Sequence, residues 1–149
     1  MYAHILIAVD GTDLSNRGLE QGLALAKALG SKVTVLTVSE PWMPLGVDAT
    51  GAALTEYALV QSYDEAEQKA ADGILKRAAD AARAAGLSVE TVFKARLHPS
   101  DAIIETAEEK DVDLIVMASH GRRGLDRLVL GSQAIETLSL SRVPVLVVR

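Results

Sequence analysis

The sequence predicts an α/β fold in which five parallel strands form one sheet with helices on both faces. Two observations support this prediction: five short apolar runs recur along the 149 residues, and segments with helical periodicity separate them. Alternation of strands and helices gives a parallel sheet with right-handed crossovers. Because no linker, repeat or low-complexity tract divides the chain, we expect a single domain over residues 1–149.

The strands are predicted by apolar runs, of which the first, fourth and fifth are nearly continuous in Val, Ile and Leu. Near-continuous runs of this kind are expected where helices cover both faces of a parallel strand. In chain order, the runs are HILIAV (4–9), KVTVLTV (32–38), SVETVF (88–93), DLIVMA (113–118) and VPVLVV (143–148).

Four helices are predicted between the runs. The first ends at Gly30 and the second at Gly86, since glycine tolerates the left-handed conformation that often ends a helix. The third opens at Pro99, and a short fourth helix follows Gly131. Helix by helix, the apolar positions are Leu19, Leu23, Ala26 and Leu29; Ala70, Ile74, Ala78, Ala81 and Ala85; Ile103, Ile104 and Ala107; and Ile135 and Leu138.

One segment, SEPWMPLGVDATGAALTEYALV (39–60), has no clear period and contains two prolines. It follows the second strand, at the sheet edge where loops over a binding crevice usually lie. We therefore expect an irregular loop that a ligand orders in part. A plain insert or a surface for a protein partner is an equal alternative.

Composition excludes several classes of function. The net charge of −5 and pI near 5.2 argue against a general binder of nucleic acid or membrane surfaces. The absence of cysteine excludes thiolate catalysis, disulfides and Cys-based zinc sites. No apolar segment approaches the roughly 18 residues of a membrane span, and the N-terminus lacks the pattern of a signal peptide. We expect a soluble, cytoplasmic protein.

Two segments are suited to the carboxyl edge of the sheet, where open α/β folds bind ligands. Asp10 ends the first strand, and the loop MASHGRRGLDRLVLGSQAIETL (117–138) follows the fourth. If both build one site, the first and fourth strands must be neighbours, because a ligand bridges adjacent strand ends. The strand order is then 3-2-1-4-5.

The loop after the fourth strand has the features of a phosphate site. Gly131 removes a side chain where the backbone must approach a ligand, and the amides of Ser132 to Ala134 lie at a helix N-terminus that attracts anions. Positive charge stands beside them on Arg122, Arg123 and Arg127. The same features also suit a capped helix with solvated arginines, so the residues alone leave both interpretations open.

The loop and the strands together resemble the universal stress protein family. The nucleotide-binding branch of that family carries Gly, two residues, Gly, nine residues and Gly-Ser or Gly-Thr. This chain reads Ala118-Ser119-His120-Gly121, nine residues, then Gly131-Ser132. The segments HILIAVDGTDLS, KVTVLTV and VPVLVVR are also similar to the family, so the resemblance spans the chain apart from residues 40–60. One residue departs from the pattern, since Ala118 replaces the first glycine of the motif.

The resemblance implies an ATP site, with Mg²⁺ or Mn²⁺ carried on the phosphates. In that site Asp10 holds the ribose, Val38 contacts the adenine, and the other residues line the base or wrap the ribose and phosphates. The full set that the resemblance implies is Ala8, Val9, Asp10, Val38, Met117, Ala118, Ser119, His120, Gly121, Arg122, Arg123, Gly131, Ser132, Gln133 and Ala134.

The resemblance also implies a homodimer in which the last strand, with Val143, Val145 and Val147, pairs with its twin. An apolar strand at a sheet edge is a template for such pairing. The expected function is that of an ATP-binding sensor or regulator of the stress response. Two alternatives are a dimeric interaction module that binds no nucleotide and a slow ATPase or self-phosphorylating switch using Ser119 or Ser132.

Other chemistry has little support in the sequence. There is no GxxxxGK[ST] motif and no GxGxxG after the first strand. His4, His98 and His120 are scattered, which disfavours a metal site, while Asp13 and Ser15 are interpreted as residues that cap a helix. No pairing of nucleophile and base is visible. We therefore predict neither a catalytic residue nor a protein metal ligand.

Overall fold

A computed structural model describes residues 1–42, 53–120 and 129–149 of the chain. Strands and helices alternate along it, as the apolar runs predict. The elements are β1 (His4–Ala8), α1 (Asp13–Leu29), β2 (Lys32–Val38), α2 (Ala53–Ala84), β3 (Glu90–Lys94), α3 (Pro99–Glu109), β4 (Leu114–Ala118), α4 (Ser132–Leu140) and β5 (Val145–Val148). The predicted bounds of the strands agree to within two residues.

The five strands form one parallel sheet in the order β3-β2-β1-β4-β5. The chain builds outwards from β1 to β3 and then returns to place β4 on the other side of β1, with Ile5 opposite Leu114 and Ile7 opposite Val116. The predicted order is therefore confirmed. The reversal between β1 and β4 leaves a crevice at their carboxyl ends, which is where open α/β sheets bind ligands.

Helices cover both faces of the sheet, which explains why β1 is apolar at consecutive positions. Ile5 and Ile7 pack with α1 and α2, whereas Leu6 packs on the opposite face with residues of α3 and α4, and all three are fully buried. Successive side chains of a strand point to opposite faces. A strand covered on both sides therefore shows no polar alternation.

The helix ends follow local sequence signals. Thr12 caps α1 by accepting a hydrogen bond from the amide of Ser15, at 3.2 Å. Gly30 ends α1 in the left-handed conformation, with φ of +70°, as predicted. Pro99 occupies the first turn of α3, where its missing N–H leaves no hydrogen bond unmade.

Several predicted apolar stripes are rotated from their expected positions. Leu29 is 45% exposed, and Ile135 and Leu138 of α4 are also exposed. The buried positions of α2 are Ala71, Ile74, Leu75, Ala78 and Ala82. Ala70 is exposed instead, and Ala81 and Ala85 are only partly buried. Consecutive alanines allow several helical stripes, and the larger Leu75 selects the one that faces the sheet.

The prediction of an irregular segment over 39–60 is wrong for its last eight residues, because α2 begins at Ala53; residues 43–52 lie outside the described ranges. Residues 57–70 of α2 include no buried side chain, so this part of the helix shows no hydrophobic period. It is fixed from one side, where Trp42 stacks on Tyr63 with ring centroids 4.2 Å apart and the Ser39 hydroxyl donates to Glu67 at 3.1 Å. Within the described ranges, no helix is both long enough and apolar enough to cross a membrane.

A buried polar network ties the strands together at the amino end of the sheet. The His4 ring bonds through Nδ1 to the Lys110 carbonyl at 3.0 Å and through Nε2 to the Thr34 hydroxyl at 2.8 Å. A carbonyl only accepts, so Nδ1 carries the hydrogen and Nε2 accepts from Thr34 in the neutral ring. The carboxylate of Asp113 accepts from the amides of Ala3 and His4 at 3.0 and 3.1 Å. Burial lowers the pKa of His4, against the opposing effect of the Lys110 carbonyl.

Candidate functional site

The crevice at the carboxyl ends of β1 and β4 collects most of the residues that the sequence singled out. Ala8, Val9 and Asp10 leave β1, and Met117 to His120 leave β4 on the neighbouring strand. Val38 closes β2 on the other side of β1, where the Val9 amide donates to the Leu36 carbonyl at 2.8 Å. These strand ends are therefore neighbours along one edge of the sheet, in the order β2, β1 and β4.

Asp10 is fixed by the first turn of α1. One carboxylate oxygen, Oδ1, accepts from the Thr12 amide at 2.9 Å and from the Thr12 hydroxyl at 2.7 Å. The Asp10 amide in turn donates to the buried Ser15 hydroxyl at 2.9 Å. The residue that caps α1 is Thr12, and not Asp13 or Ser15 as the sequence suggested. The spacing Thr-x-x-Ser at the start of a helix is the signal that identifies both as supports of Asp10.

Gly131 brings the start of α4 against the turn that follows β4. Its amide donates to the Ser119 carbonyl at 2.8 Å. A Cβ at this position would lie 3.1 Å from that carbonyl oxygen and 3.4 Å from the Cα of His120. The φ of Gly131 is −64°, which any residue adopts. Close approach of two backbone segments is therefore what requires glycine here.

The first amides of α4 are the groups in this crevice best suited to hold an anion. The helix begins at Ser132, and the first intrahelical bond runs from the Ile135 amide to the Gly131 carbonyl at 3.0 Å. Over the described part of the chain, the amides of Ser132, Gln133 and Ala134 make no hydrogen bond. Unpaired amides at a helix N-terminus attract phosphate and carboxylate groups. We refer to these three residues as the amide cradle.

Ser119 and His120 follow β4 at the start of the loop that leads to α4. The Ser119 hydroxyl lies 3.0 Å from Nδ1 of His120, and Ser119 is only 2% exposed. A hydroxyl so well buried is poorly placed to meet a reactant. The contact therefore favours a structural role in the turn over a nucleophile paired with its base.

The amide cradle is joined to the start of α3 by side chains that no sequence motif groups together. The Gln133 Oε1 atom accepts from the Ser100 amide at 2.9 Å, and the Ser100 hydroxyl donates to Glu136 Oε2 at 2.8 Å. Nε2 of His98 lies 2.7 Å from the same oxygen. The hydrogen bond from Ser100, followed by that from His98, lowers the pKa of Glu136. We call His98, Ser100, Gln133 and Glu136 the α3–α4 junction.

The remaining predicted residues fall into two groups. Met117 and Ala118 are the last two residues of β4, and both side chains are buried in the core next to the crevice. Gly121, Arg122, Arg123 and Arg127 lie outside the described residues. The basic side of the predicted phosphate site therefore stays a prediction, whereas Asp10, Ser119, His120 and the amide cradle are placed around one crevice.

Comparison with known proteins places this geometry in a family. The sequence model of the universal stress protein family matches residues 1–149. The chain is 32% identical to universal stress protein YxiE of Bacillus subtilis over 149 residues, which is 100% of both chains. A universal stress protein solved in complex with cAMP is similar, with a TM-score of 0.71 and 26% identity over 99% of this chain and 97% of that one.

The fold itself is also shared with a more distant structure. MJ0577 of Methanocaldococcus jannaschii has a TM-score of 0.80 at 24% identity, covering 99% of this chain and 96% of that chain. The five-stranded order and the helices on both faces are therefore those of a known architecture.

Proposed function

Because this chain belongs to the universal stress protein family, we propose that it binds ATP in the crevice between β1 and β4. In this proposal it acts as a sensor or regulator of the stress response and not as an enzyme. The observation that carries the proposal is the amide cradle: its three amides make no hydrogen bond to the described residues, and they follow a glycine whose Cβ would lie 3.1 Å from the Ser119 carbonyl oxygen. The family member bound to cAMP supports an adenine nucleotide as the ligand.

The proposed pose runs across three strand ends. The adenine lies at Val38, Ala8 and Val9, and the ribose lies against Asp10, which Thr12 and Ser15 hold in place. The phosphates then reach the amide cradle, with Met117 to Gly121, Arg122 and Arg123 around them. The amide of Gly131 is engaged by Ser119, so Gly131 contributes space and not a hydrogen bond.

A divalent ion is part of the proposed ligand. Within the described residues, no group of three His, Cys, Asp or Glu is placed to hold a metal. Mg²⁺ commonly binds through substrate phosphates and water, with few protein ligands. We therefore propose that Mg²⁺ or Mn²⁺ is carried on the phosphate oxygens of ATP.

Isothermal titration calorimetry with ATP, AMP and adenosine tests this function directly. If the amide cradle holds the phosphates and Asp10 holds the ribose, ATP binds more tightly than adenosine. Asp10→Ala then weakens all three ligands, because it acts at the end that they share. The matched control is Asp13→Ala, one turn away in α1. No heat of binding at millimolar ATP, a free energy weaker than about −4 kcal/mol, contradicts the proposal and leaves the interaction module that binds no nucleotide.

We also propose that the protein is a homodimer through β5. This strand forms one edge of the sheet, and apolar side chains are exposed beside it at Leu146, Leu138 and Leu140. An exposed apolar edge favours pairing with a second strand. Val143, Val145 and Val147 pack inwards against the α3 and α4 face, so Leu146 is a better position for a test than Val145.

Sedimentation at tens of micromolar protein, an order of magnitude at which weak assemblies still persist, decides the oligomeric state. We expect a dimer for the wild type and a monomer for Leu146→Lys. Leu29→Lys, at another exposed leucine, is the control and stays dimeric. A monomeric wild type contradicts this proposal without affecting the proposed ATP site.

A further inference from the structure

A cavity of about 450 Å³ opens between the start of α1 and the middle of α2. One wall is the turn from Asp10 to Thr12, and the other is a stretch of α2 that includes Lys69, Gly73 and Arg77. Asp10 also lies at the proposed ATP site, where it faces the ribose. A group attached to the ribose hydroxyls therefore lies at the mouth of this cavity.

Two glycines on opposite walls leave room for a ligand beside Arg77. Gly11 has φ of +82°, and a Cβ there would lie 3.0 Å from Cγ1 of Ile74 and 3.5 Å from Nη2 of Arg77. A Cβ at Gly73 would lie 3.9 Å from Nη1 of the same guanidinium. The guanidinium of Arg77 thus lies beside both glycines, where neither residue has a side chain to cover it.

The positive charges of Lys69 and Arg77 face this cavity without an acidic partner in the described ranges. The two residues are eight positions apart, about two turns of α2, so they project on the same side of the helix. Neither forms an ion pair with any residue that the structure describes. Asp80, the acidic residue of α2 nearest to Arg77 in sequence, pairs with Lys76 and Arg83 instead.

The charge balance of the cavity favours an anion, because two cations face the one carboxylate of Asp10. The position of the anion follows from the ribose. A carboxylate beside a ribose accepts hydrogen bonds from its hydroxyls, and an arginine in that neighbourhood accommodates a phosphate on the same hydroxyls. Asp10 and Arg77 have these two positions in the cavity.

We propose that Lys69 and Arg77 form a subsite for a phosphate carried on the 2′- or 3′-hydroxyl of the ribose. The protein then binds an adenine nucleotide with phosphates on both sides of the ribose more tightly than AMP. This inference rests on the proposed nucleotide site at Asp10, and it names a class of nucleotide that the site fits.

The test compares AMP, adenosine 2′,5′-bisphosphate and adenosine 3′,5′-bisphosphate by calorimetry. The three ligands share the base, the ribose and the 5′-phosphate, so a difference in affinity reports the added phosphate alone. We expect at least one bisphosphate to bind the wild type about fivefold more tightly than AMP, the size of one or two exposed ion pairs.

Arg77→Gln should remove most of this preference, because glutamine lacks the charge that attracts the added phosphate. The matched control is Lys76→Gln, which removes the same charge from the adjacent residue of α2. Lys76 pairs with Asp80 and does not line the cavity. We expect Lys76→Gln to retain the preference of the wild type.

A second variant fills the subsite from inside the protein. Gly73→Asp places a carboxylate one turn before Arg77, whose Nη1 atom is the nearest described atom to the new Cβ outside the helix backbone. An acidic and a basic residue four positions apart on a helix pair with each other. The new carboxylate should therefore take the place of the added phosphate and abolish the preference, while circular dichroism verifies that the helices remain.

Four results overturn the inference and leave the nucleotide site intact. They are equal affinities of the wild type for AMP and both bisphosphates, a preference that survives in Arg77→Gln or Gly73→Asp, a loss in Arg77→Gln that is the same for AMP and the bisphosphate, and a preference that is also lost in Lys76→Gln. If neither these ligands nor ATP binds, the proposed function fails and this inference fails with it.

Discussion

Two histidines at opposite ends of the sheet differ in their surroundings and therefore in what each ring holds together. His4 at the amino end is 7% exposed and lies between a carbonyl and a hydroxyl. His98 at the carboxyl end lies beside the carboxylate of Glu136, with half of its side chain in solvent. Burial lowers the pKa of His4, so its ring acts as a neutral hydrogen-bonding group inside the fold, whereas His98 makes its contact at the surface.

The two histidines therefore affect different properties of the protein, namely its stability and its binding of a ligand. His4 joins β1, β2 and the end of α3, so a change in its charge acts on the fold. His98 joins the start of α3 to the helix that carries the amide cradle, so a substitution of His98 acts on the proposed site. Substitutions at one end should therefore change unfolding with little effect on ligands, and substitutions at the other end should do the reverse.

The largest expected effect is that of Gly131→Val at the carboxyl end. Its side chain would meet the Ser119 carbonyl and the His120 backbone, so α4 must move away and the amide cradle with it. We expect ATP affinity to fall by about a hundredfold or more, which is roughly 3 kcal/mol. Calorimetry measures this loss, and circular dichroism verifies that the helices remain.

Gly131→Ala is the graded control, since a lone Cβ requires only a shift of a few tenths of an ångström. It should lose less affinity than the valine variant. If Gly131→Val binds ATP as the wild type does, the amide cradle does not hold the phosphates. The expectation that substitutions at the carboxyl end of the sheet change ligand binding is then contradicted.

The next effect is smaller and belongs to the amino end. His4→Ala removes two hydrogen bonds from a buried site, which leaves the Lys110 carbonyl without that donor and the Thr34 hydroxyl with only its longer contact of 3.4 Å to Glu90. We expect a loss of about 2–3 kcal/mol in the free energy of unfolding, given about 1–3 kcal/mol for an unsatisfied buried group. Urea unfolding at pH 7.5 measures it. ATP affinity should stay within twofold of the wild type, roughly the scatter expected for a distant site.

The same variant tests the pH dependence of stability. The pKa of His4 in the folded protein lies below its ordinary value of 6.5, so the unfolded chain binds the proton more readily. The contribution of neutral His4 is present above pH 6.5 and is lost as the pH falls towards the folded pKa. Wild-type stability should therefore drop between pH 7.5 and pH 5.5, and His4→Ala should drop less. An equal drop in both proteins would assign the effect to other groups.

The strand order was predictable because the two candidate ligand-binding segments must lie side by side to form one site. Asp10 and the loop from Met117 to Leu138 serve one ligand only if β1 and β4 are neighbours, and the sheet has that order. The α3–α4 junction was not predictable in the same way. His98 and Glu136 are 38 positions apart in the chain, and neither occupies a recognisable motif. Only the packing of α3 on α4 brings them together.

The first half of α2 shows a different limit of prediction from sequence, that of hydrophobic periodicity. Hydrophobic periodicity detects helices that bury a stripe, and residues 57–70 of α2 bury no side chain. These residues form a helix through the intrinsic preference of Ala, Leu, Glu and Gln. Their contacts with the rest of the chain include Tyr63 stacked on Trp42, Asp64 paired with Arg96, and Glu67 accepting from Ser39. A pattern based on core packing therefore extends only to the part of a helix that touches the core.

The smallest expected effect is that of Ala118→Gly, which restores the family's motif glycine at the carboxyl end. Leu114 and Val116 pack on the α1 and α2 face, and Ile115 and Met117 pack on the other. Alternation along the strand therefore directs the Ala118 methyl group towards α1, where the Cβ position of Gly18 lies 3.6 Å from the Ala118 amide nitrogen. The methyl group is thus on the opposite face from the amide cradle.

This placement predicts that Ala118 does not close the site. ATP affinity of Ala118→Gly should equal that of the wild type within about twofold, or about 0.4 kcal/mol. Its stability should fall by about 0.5–1 kcal/mol, because glycine weakens a strand interior. Calorimetry and urea unfolding on the same preparation measure the two quantities. A tenfold gain in affinity would show that the methyl group crowds the ligand. ATP affinity would then depend on the residue at position 118 as well as on Gly131.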